Sequence, residues 1–201
     1  MKAIERDEIL GLADYETIRE RFRARVIAEK KVRRVTVGPN ASAVFENRDT
    51  VLLQIQEMLR TERITRPAAI QHEIDTYGEL LPGRDELSCT LMIEIADKVE
   101  RDAFLRSARG LSRHIWFVAG SRRIAARSNE PSGDWPEPDR TTAVHYLKFA
   151  LPNDVADALR ARAKGKGEVG GLAIDIDHPA YSARAQLPLE TIVALGVDLD
   201  A

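Results

Sequence analysis

The feature that most constrains the fold is a strand-like segment that runs without a break into an amphipathic helix, from Val44 to Ile64. After Asn47 the apolar residues recur at helical spacing, about 100° per residue. One face of this predicted helix carries Val51, Ile55, Met58 and Leu59. Leu53 and Ile64 lie on the far side. Because the helix is apolar on two sides, we expect it to be sandwiched between other elements.

Polar and charged side chains gather at the joint between this strand and helix. Glu46 and Arg48 flank it, and Asn47, Asp49 or Thr50 can cap the helix N-terminus. Farther along, Glu62 is predicted to project among the apolar residues of the inner face. A carboxylate buried there needs a partner, either an arginine or a metal, because burying it alone is costly. We favour a structural ion pair with an arginine.

Length and composition place the chain in a broad class. With 201 residues, of which 44% are hydrophobic and 31% charged, it can bury a sizeable core as a single domain, 1–201. A formal charge of −2 argues against a dedicated nucleic-acid binder. The single cysteine, Cys89, excludes an internal disulfide. The N-terminus lacks the apolar core of a signal peptide, and no segment reaches the ~20 apolar residues of a membrane span, so we expect a cytoplasmic protein without a membrane partner.

A basic stretch accompanies the first predicted helix, which runs from about Tyr15 to Lys31 with Asp14 as its N-cap. Basic residues recur from Arg19 to Arg34. They could form a phosphate-binding face, or they could be the solvated side of a helix with local ion pairs. We favour the solvated helix.

The order of the predicted elements indicates an α+β fold. The N-terminal helix is followed by a β-hairpin, Val32 to Val37 and Ser42 to Glu46, and then by two central helices, the second beginning at Pro67. Later segments alternate between strands and short helices. We therefore predict an antiparallel or mixed sheet assembled from the later strands. The predicted later strands are Leu87 to Ala96, His114 to Ala119, Arg122 to Arg127, Thr141 to Leu151, Leu172 to Asp177 and Tyr181 to Leu187.

Several polar residues of the later strands are candidates for a site. Glu94 is the one charge on a weakly polar strand face, and such a carboxylate often pairs with a neighbouring element. His145 shares a strand face with apolar residues and is either a hydrogen-bonded core histidine or part of a catalytic group. Asp175, Asp177 and His178 could contribute oxygens and an imidazole to a metal, although the same residues are also ordinary turn chemistry before Pro179.

No cofactor is identified by a sequence motif. The run from Gly165 to Gly170 matches the spelling of a dinucleotide fingerprint, but it follows a helix and precedes a strand, the reverse of the order that such a site requires. The helices also lack the Glu-x-x-His units of a di-iron carboxylate bundle. We therefore predict no nucleotide cofactor, and the cofactor, if there is one, stays unknown.

Four motifs together resemble a known family. They are Phe45 to Thr50, Gln54 to Arg63, Thr90 to Ile95 and Asp177 to Tyr181. They resemble a bacterial family of proteins of about this length that is catalogued only as a domain of unknown function. The resemblance covers nearly the whole chain and implies no activity. Its members often stand beside genes for rubrerythrin-like and iron–sulfur oxidoreductase proteins, which suggests a redox or oxidative-stress context and a redox protein partner.

Two functional hypotheses from different classes follow. The first is an accessory or binding protein, a homo-oligomer or the partner of a redox protein, whose polar joint around Glu46 and Arg48 is structural or recognises a partner. The second is an enzyme or metal-dependent protein that uses buried carboxylates, Glu46, Glu62 and Glu94, with His145 in one pocket. With one cysteine the chain cannot itself hold a four-cysteine cluster.

Overall fold

The computed structural model describes residues 1–128, 139–167 and 170–201. Within them, six α-helices and nine strands confirm the predicted α+β class. The helices are α1 (Leu12–Arg33), α2 (Arg48–Thr61), α3 (Pro67–Gly78), α4 (Lys98–Ser107), α5 (Asn153–Ala163) and α6 (Leu189–Asp198). The strands are β1 (Arg34–Thr36), β2 (Ala41–Phe45), β3 (Glu86–Ile93), β4 (Ile115–Ala119), β5 (Arg122–Ala125), β6 (Arg127–Ser128), β7 (Val144–Ala150), β8 (Leu172–His178) and β9 (Tyr181–Gln186).

The strands form two antiparallel sheets. The first sheet has the order β1-β2-β3-β7-β6, and the second has the order β5-β4-β8-β9. The predicted hairpin is confirmed as β1 paired with β2, and the pairing of β4 with β5 is confirmed as well. The chain passes from the second sheet to the first at Ala126, between β5 and β6. Ser128 therefore pairs with Leu147 of β7, in the first sheet.

The main core lies between the inner faces of the two sheets. Phe117 of the second sheet packs against two phenylalanines of the first, with ring centroids 6.4 Å from Phe45 and 5.9 Å from Phe149. In the register of the first sheet Cys89 lies beside Phe45, Leu147 lies beside Cys89, and both are buried. Burial of apolar side chains from both sheets is what holds the sheets together.

A second, smaller apolar cluster fixes the position of α2. Val51, Ile55 and Leu59 pack with Ile70 and Ile74 of α3. The predicted inner face of α2 is thus confirmed for these three residues. On another side, α2 contacts α1 through ion pairs and hydrogen bonds, so α2 lies between two helices as expected.

Of the two helices with predicted capping residues, α2 starts at one of its three candidates, Asn47, and α1 does not start at Asp14. Asn47 caps α2, and Asp97 caps α4 by accepting hydrogen bonds from the backbone N–H groups of Val99 and Glu100. Asp14 does not cap α1. That helix begins at Leu12 after Gly11, so Asp14 lies within its first turn, where a negative charge is favourable near the N-terminal end of the helix dipole. No helix among the described residues has the length and apolar character needed to cross a bilayer.

Candidate functional site

The joint between β2 and α2 is a closed capping structure. Asn47 accepts a hydrogen bond from the backbone N–H of Thr50 at 3.0 Å, and the Thr50 hydroxyl accepts one from the backbone N–H of Asn47 at 2.9 Å. Two donors near the start of the helix are therefore satisfied reciprocally. These two side chains are therefore directed toward the protein's own backbone.

Glu46 lies at the centre of the joint and is only 4% exposed. Its carboxylate accepts hydrogen bonds from the hydroxyls of Thr50 on α2 and Thr90 on β3, the latter at 2.6 Å. Among the described residues, no cation pairs with Glu46. The Glu46 carboxylate therefore joins the end of β2 to the neighbouring strand β3 and to the helix α2.

Cys89 is next to this carboxylate and is inert. Its thiol is buried, and burial raises the pKa of Cys89, with a further increase from the charge of Glu46. A protonated thiol is a poor nucleophile and a poor metal ligand.

Glu46 can be tested with a matched pair of substitutions. We expect Glu46→Ala to lower the free energy of unfolding by about 3 kcal/mol, because it leaves the buried Thr90 hydroxyl without this acceptor, removes one of the two acceptors of the Thr50 hydroxyl and opens a void. We expect Glu46→Gln to cost about 1 kcal/mol, since the amide can accept from one threonine and donate to the other. Urea denaturation measures both. Equal losses for the two variants would contradict a hydrogen-bonding role.

Behind the joint lies a buried ion pair that the sequence did not reveal. Asn47 donates to Glu29, which also pairs with Arg33 at 3.1 Å. Arg33 is 4% exposed and donates to both oxygens of Asp198, with Nη2 to Oδ1 at 2.9 Å. Burial raises the pKa of Asp198 although Arg33 opposes that change. This pair joins α1 to α6 and is not the one that was predicted, which was between an arginine and Glu62 on α2.

The remaining charges of the joint bind the chain to itself. Arg48 donates to Glu8 and to the backbone carbonyls of Lys2 and Ala3, which attaches the N-terminal segment to α2. Asp49 pairs with Arg25 of α1. Arg48 is thus placed as a structural contact between α2 and the start of the chain.

Two candidate carboxylates are exposed, contrary to their predicted burial. Glu62 follows the last residue of α2 and is exposed. The helix ends at Thr61 and the next residue but one, Arg63, has a φ of 55°, so helical periodicity does not extend to Glu62. Glu94 follows β3 and is also exposed. It pairs with Arg34 and accepts from Ser42, both at 2.9 Å, as its predicted cross-strand pairing requires.

His145 lies on the other face of the first sheet from Glu46. The register pairs Phe45 with Cys89 and Cys89 with Leu147, so these three side chains lie on the inner face. His145 is two residues before Leu147 on β7 and therefore lies on the same face. Glu46 follows Phe45 and projects to the outer face, where it meets Thr90. His145 is 1% exposed, and its Nε2 lies 3.4 Å from the Thr141 hydroxyl. The structure does not bring Glu46 and His145 into one pocket.

The weak metal candidates also face different ways. Asp175 and Asp177 lie on the exposed face of the second sheet, whereas His178 is 7% exposed. The ring of His178 bonds to the backbone at both nitrogens, with Nε2 at 3.0 Å from the carbonyl of Arg109 and Nδ1 accepting from the N–H of Ala180. In the parts of the chain that the structure describes, no three His, Cys, Asp or Glu residues are grouped as metal ligands.

Asp177 is instead the centre of a partly exposed cluster, in which Arg123 and Asp177 are exposed and the others are half-buried. We call it the Trp116 face: His114, Trp116, Arg123, Asp175 and Asp177. The Asp177 carboxylate accepts from Arg123 at 2.7 Å and from the indole N–H of Trp116 at 3.0 Å. The guanidinium of Arg123 lies 4.3 Å from the centre of the Trp116 ring and also pairs with Asp175. Arg123 therefore occupies the position between the two carboxylates.

The acid titration of Asp177 provides a test of this arrangement. Hydrogen bonds from Arg123 and Trp116 lower the pKa of Asp177 to about 2. A lowered pKa stabilises the fold above the unfolded-state value of about 3.9, and that contribution is lost as the pH falls toward 2. We expect carboxyl carbon NMR to give a midpoint near 2 for Asp177. In Arg123→Ala the midpoint should move upward, and a midpoint near 3.9 in the unsubstituted protein would contradict the contacts.

Comparison with known proteins relates nearly the whole chain to a protein family and to a solved structure. The family model described as Protein of unknown function (DUF3501) matches residues 3–199. A crystal structure of a novel protein of unknown function from Burkholderia pseudomallei K96243 is 32% identical, covers 99% of this chain and 100% of its own, and superposes with a TM-score of 0.87. No curated protein matches the sequence.

Proposed function

The chain belongs to the DUF3501 family, and we propose that it is a cytoplasmic accessory or binding protein acting in a redox or oxidative-stress context. The context rests on the family resemblance, and the binding role rests on the contacts of the chain. The partner is a redox protein or a second copy of this chain. The two hypotheses from the sequence assign different roles to the polar joint: structural or partner-binding in the first, catalytic or metal-binding in the second. The contacts of the joint therefore help to distinguish them.

The observation that carries the proposal is that the joint's polar side chains are directed into the protein. Glu46 bonds to two threonines, Asn47 caps a helix, and Arg48 binds the N-terminal segment. An enzyme or metal site needs such groups to converge on a space that a substrate can enter. Here each group joins two elements of the fold, which supports an architectural role for the joint.

The surface that we propose for partner binding is the Trp116 face. Tryptophan and arginine are enriched among the residues that dominate the energy of protein interfaces. Trp116 and Arg123 are stacked on each other, and Asp177 holds both, so little side-chain freedom remains to be lost on binding. The basic stretch from Arg19 to Arg34 is a weaker candidate for partner binding. Four of its arginines form ion pairs within the protein: Arg19, Arg25, Arg33 and Arg34.

The test combines elemental analysis with partner capture. The purified protein is analysed for metals, and tagged protein is used to recover partners from the native host. We expect the purified protein to contain no stoichiometric metal. We also expect the unsubstituted protein to recover a redox protein from the host, and we expect Trp116→Ala not to recover it. Arg21→Ala on the exposed side of α1 is the matched control and should behave as the unsubstituted protein does.

Sedimentation velocity of the same three proteins tests self-association. A dimer that Trp116→Ala dissociates would identify a second copy as the partner. A stoichiometric metal that is lost in Glu46→Gln would instead support the enzyme or metal-dependent hypothesis. Absence of both a specific partner and self-association would contradict the binding role.

A further inference from the structure

The second sheet ends in a long edge strand, β9. Among the described residues its six positions make it the longest of the four edge strands, since β1, β6 and β5 have three, two and four residues. Proteins commonly protect a sheet edge by keeping it short or by placing proline or several charges on it, because its unpaired backbone groups can pair with another chain. β9 contains no proline, and its one charged residue is Arg184.

The backbone groups of alternate residues of β9 are directed to the open side of the sheet. Leu187, the residue after β9, donates its N–H to the carbonyl of Leu172 at 2.8 Å, which marks a hydrogen-bonded position of the ladder with β8. Bonded and non-bonded pairs alternate along an antiparallel ladder, so Ser182, Arg184 and Gln186 lie at non-bonded positions. Their N–H and C=O groups therefore point away from β8, and no group in the described part of the chain bonds to them.

The side chains of the same three residues lie on the outer face of the sheet and are exposed. Arg184 lies beside Asp175 in the register, but Asp175 pairs with Arg123. Within the residues that the structure describes, Arg184 forms no ion pair. The edge thus combines unpaired backbone donors and acceptors with an unpaired cation.

We propose that β9 pairs antiparallel with β9 of a second copy of this chain, about a two-fold axis at Ala183. The second sheets of the two copies then form one continuous sheet. A two-fold axis brings the same edge of both copies together, so each copy supplies the donors and acceptors that the other needs. The indole of Trp116 stays open, so the pairing does not depend on the partner surface proposed above.

The residues of β9 determine where the axis lies. An axis at Arg184 would place the two Arg184 side chains opposite each other, and directly opposed like charges destabilise a strand pair. An axis at Ala185 would place Ser182 opposite Pro188, which has no N–H to donate. An axis at Ala183 places Ser182 opposite Arg184 of the second copy, and both residues then exchange backbone hydrogen bonds.

The same register is favourable for the charges of the outer face. Within one copy, Ser182 lies beside Asp177 of β8. Arg184 of the second copy would lie on the other side of Ser182, and serine is small enough for the guanidinium to extend over it toward the Asp177 carboxylate. A carboxylate can accept more hydrogen bonds than the three that Asp177 receives within the chain. The unpaired cation of each copy therefore approaches an anion of the other.

Sedimentation velocity over a series of protein concentrations tests the pairing. We expect a concentration-dependent dimer. Ser182→Pro should weaken it by about tenfold or more, because a symmetric dimer loses the Ser182 N–H bond twice. Ser182→Ala is the matched control, which keeps the N–H and should leave the dissociation constant unchanged. Trp116→Ala should also leave it unchanged. A protein that stays monomeric at millimolar concentration, or a dimer that Trp116→Ala dissociates and Ser182→Pro does not, overturns the proposal.

Cysteine cross-linking tests the register without a proline variant. Ser182→Cys and Arg184→Cys are oxidised separately and as an equal mixture, and the products are separated on a non-reducing gel. With the axis at Ala183, opposed Cα atoms of these two positions are about 5.5 Å apart, within the reach of a disulfide. We expect a cross-linked dimer in the mixture and in neither variant alone, and Cys89 is buried and does not contribute. A cross-link in Arg184→Cys alone, or none in the mixture, contradicts the proposed pairing.

Discussion

Arg33→Met is expected to lower the free energy of unfolding by about 3–5 kcal/mol, the range for removing one partner of a buried ion pair. Arg33 is the last residue of α1 and pairs with Asp198, the last residue of α6. The Asp198 side chain is 11% exposed. After the substitution Asp198 stays buried without its cation. Chemical denaturation monitored by far-ultraviolet circular dichroism measures the change.

Two comparison variants make this prediction specific to burial. Arg34→Met removes the neighbouring arginine, whose pair with Glu94 is solvent-exposed, and should cost no more than about 1 kcal/mol. The double variant Arg33→Met with Asp198→Leu should recover most of the loss, since an apolar pair can replace a buried ion pair without leaving a lone charge. If the double variant is as unstable as Arg33→Met, the ion pair is not the cause.

This ion pair also shows where sequence reasoning stopped. A buried carboxylate on α2 paired with an arginine was expected, and that prediction was wrong, because Glu62 is exposed. The carboxylate was assigned to Glu62 because the helical period was continued one residue too far, past the end of α2 at Thr61. The residues of the buried ion pair, Arg33 and Asp198, are 165 residues apart in the chain. Neither helical spacing nor local charge patterns contain information on such a contact.

Local signals were sufficient wherever the relevant forces are local. Asn47 was among the predicted caps because the side-chain acceptor and the backbone donor are within a few residues of each other. The hairpin of β1 and β2 was predicted from two neighbouring strand-like segments. The division into two sheets depends on the passage at Ala126, which has no turn signal of its own, and this division could not be predicted.

The candidate site required a register that only the assembled sheet provides. Glu46 and His145 were grouped because both are polar residues in otherwise apolar strands. Their opposite placement follows from the pairing of β2 with β3 and of β3 with β7, since a shift by one residue reverses the face of every side chain. Arg127 and Lys148 show the converse case, in which the register brings two like charges together.

Gly196→Ala is expected to lower the free energy of unfolding by about 3 kcal/mol, at the upper end of the cost of overpacking. Gly196 is in α6, where that helix packs against α5. A Cβ atom there would lie 2.2 Å from the carbonyl oxygen of Leu159 and 2.8 Å from the Cβ of Ala163. Because the first contact is with backbone, rotation of a side chain cannot relieve it, and the two helices must separate.

Gly78→Ala is the matched control for this substitution. Gly78 is the last residue of α3, and a Cβ atom there meets nothing within 4 Å. Alanine should therefore be neutral or stabilise by about 0.5–1 kcal/mol, since glycine loses more conformational freedom on folding. Thermal unfolding of both variants separates the two contributions. A loss at Gly196 as small as the change at Gly78 would mean that α5 and α6 move apart freely. In that case the approach of α6, which brings Asp198 to Arg33, is less constrained than the packing indicates.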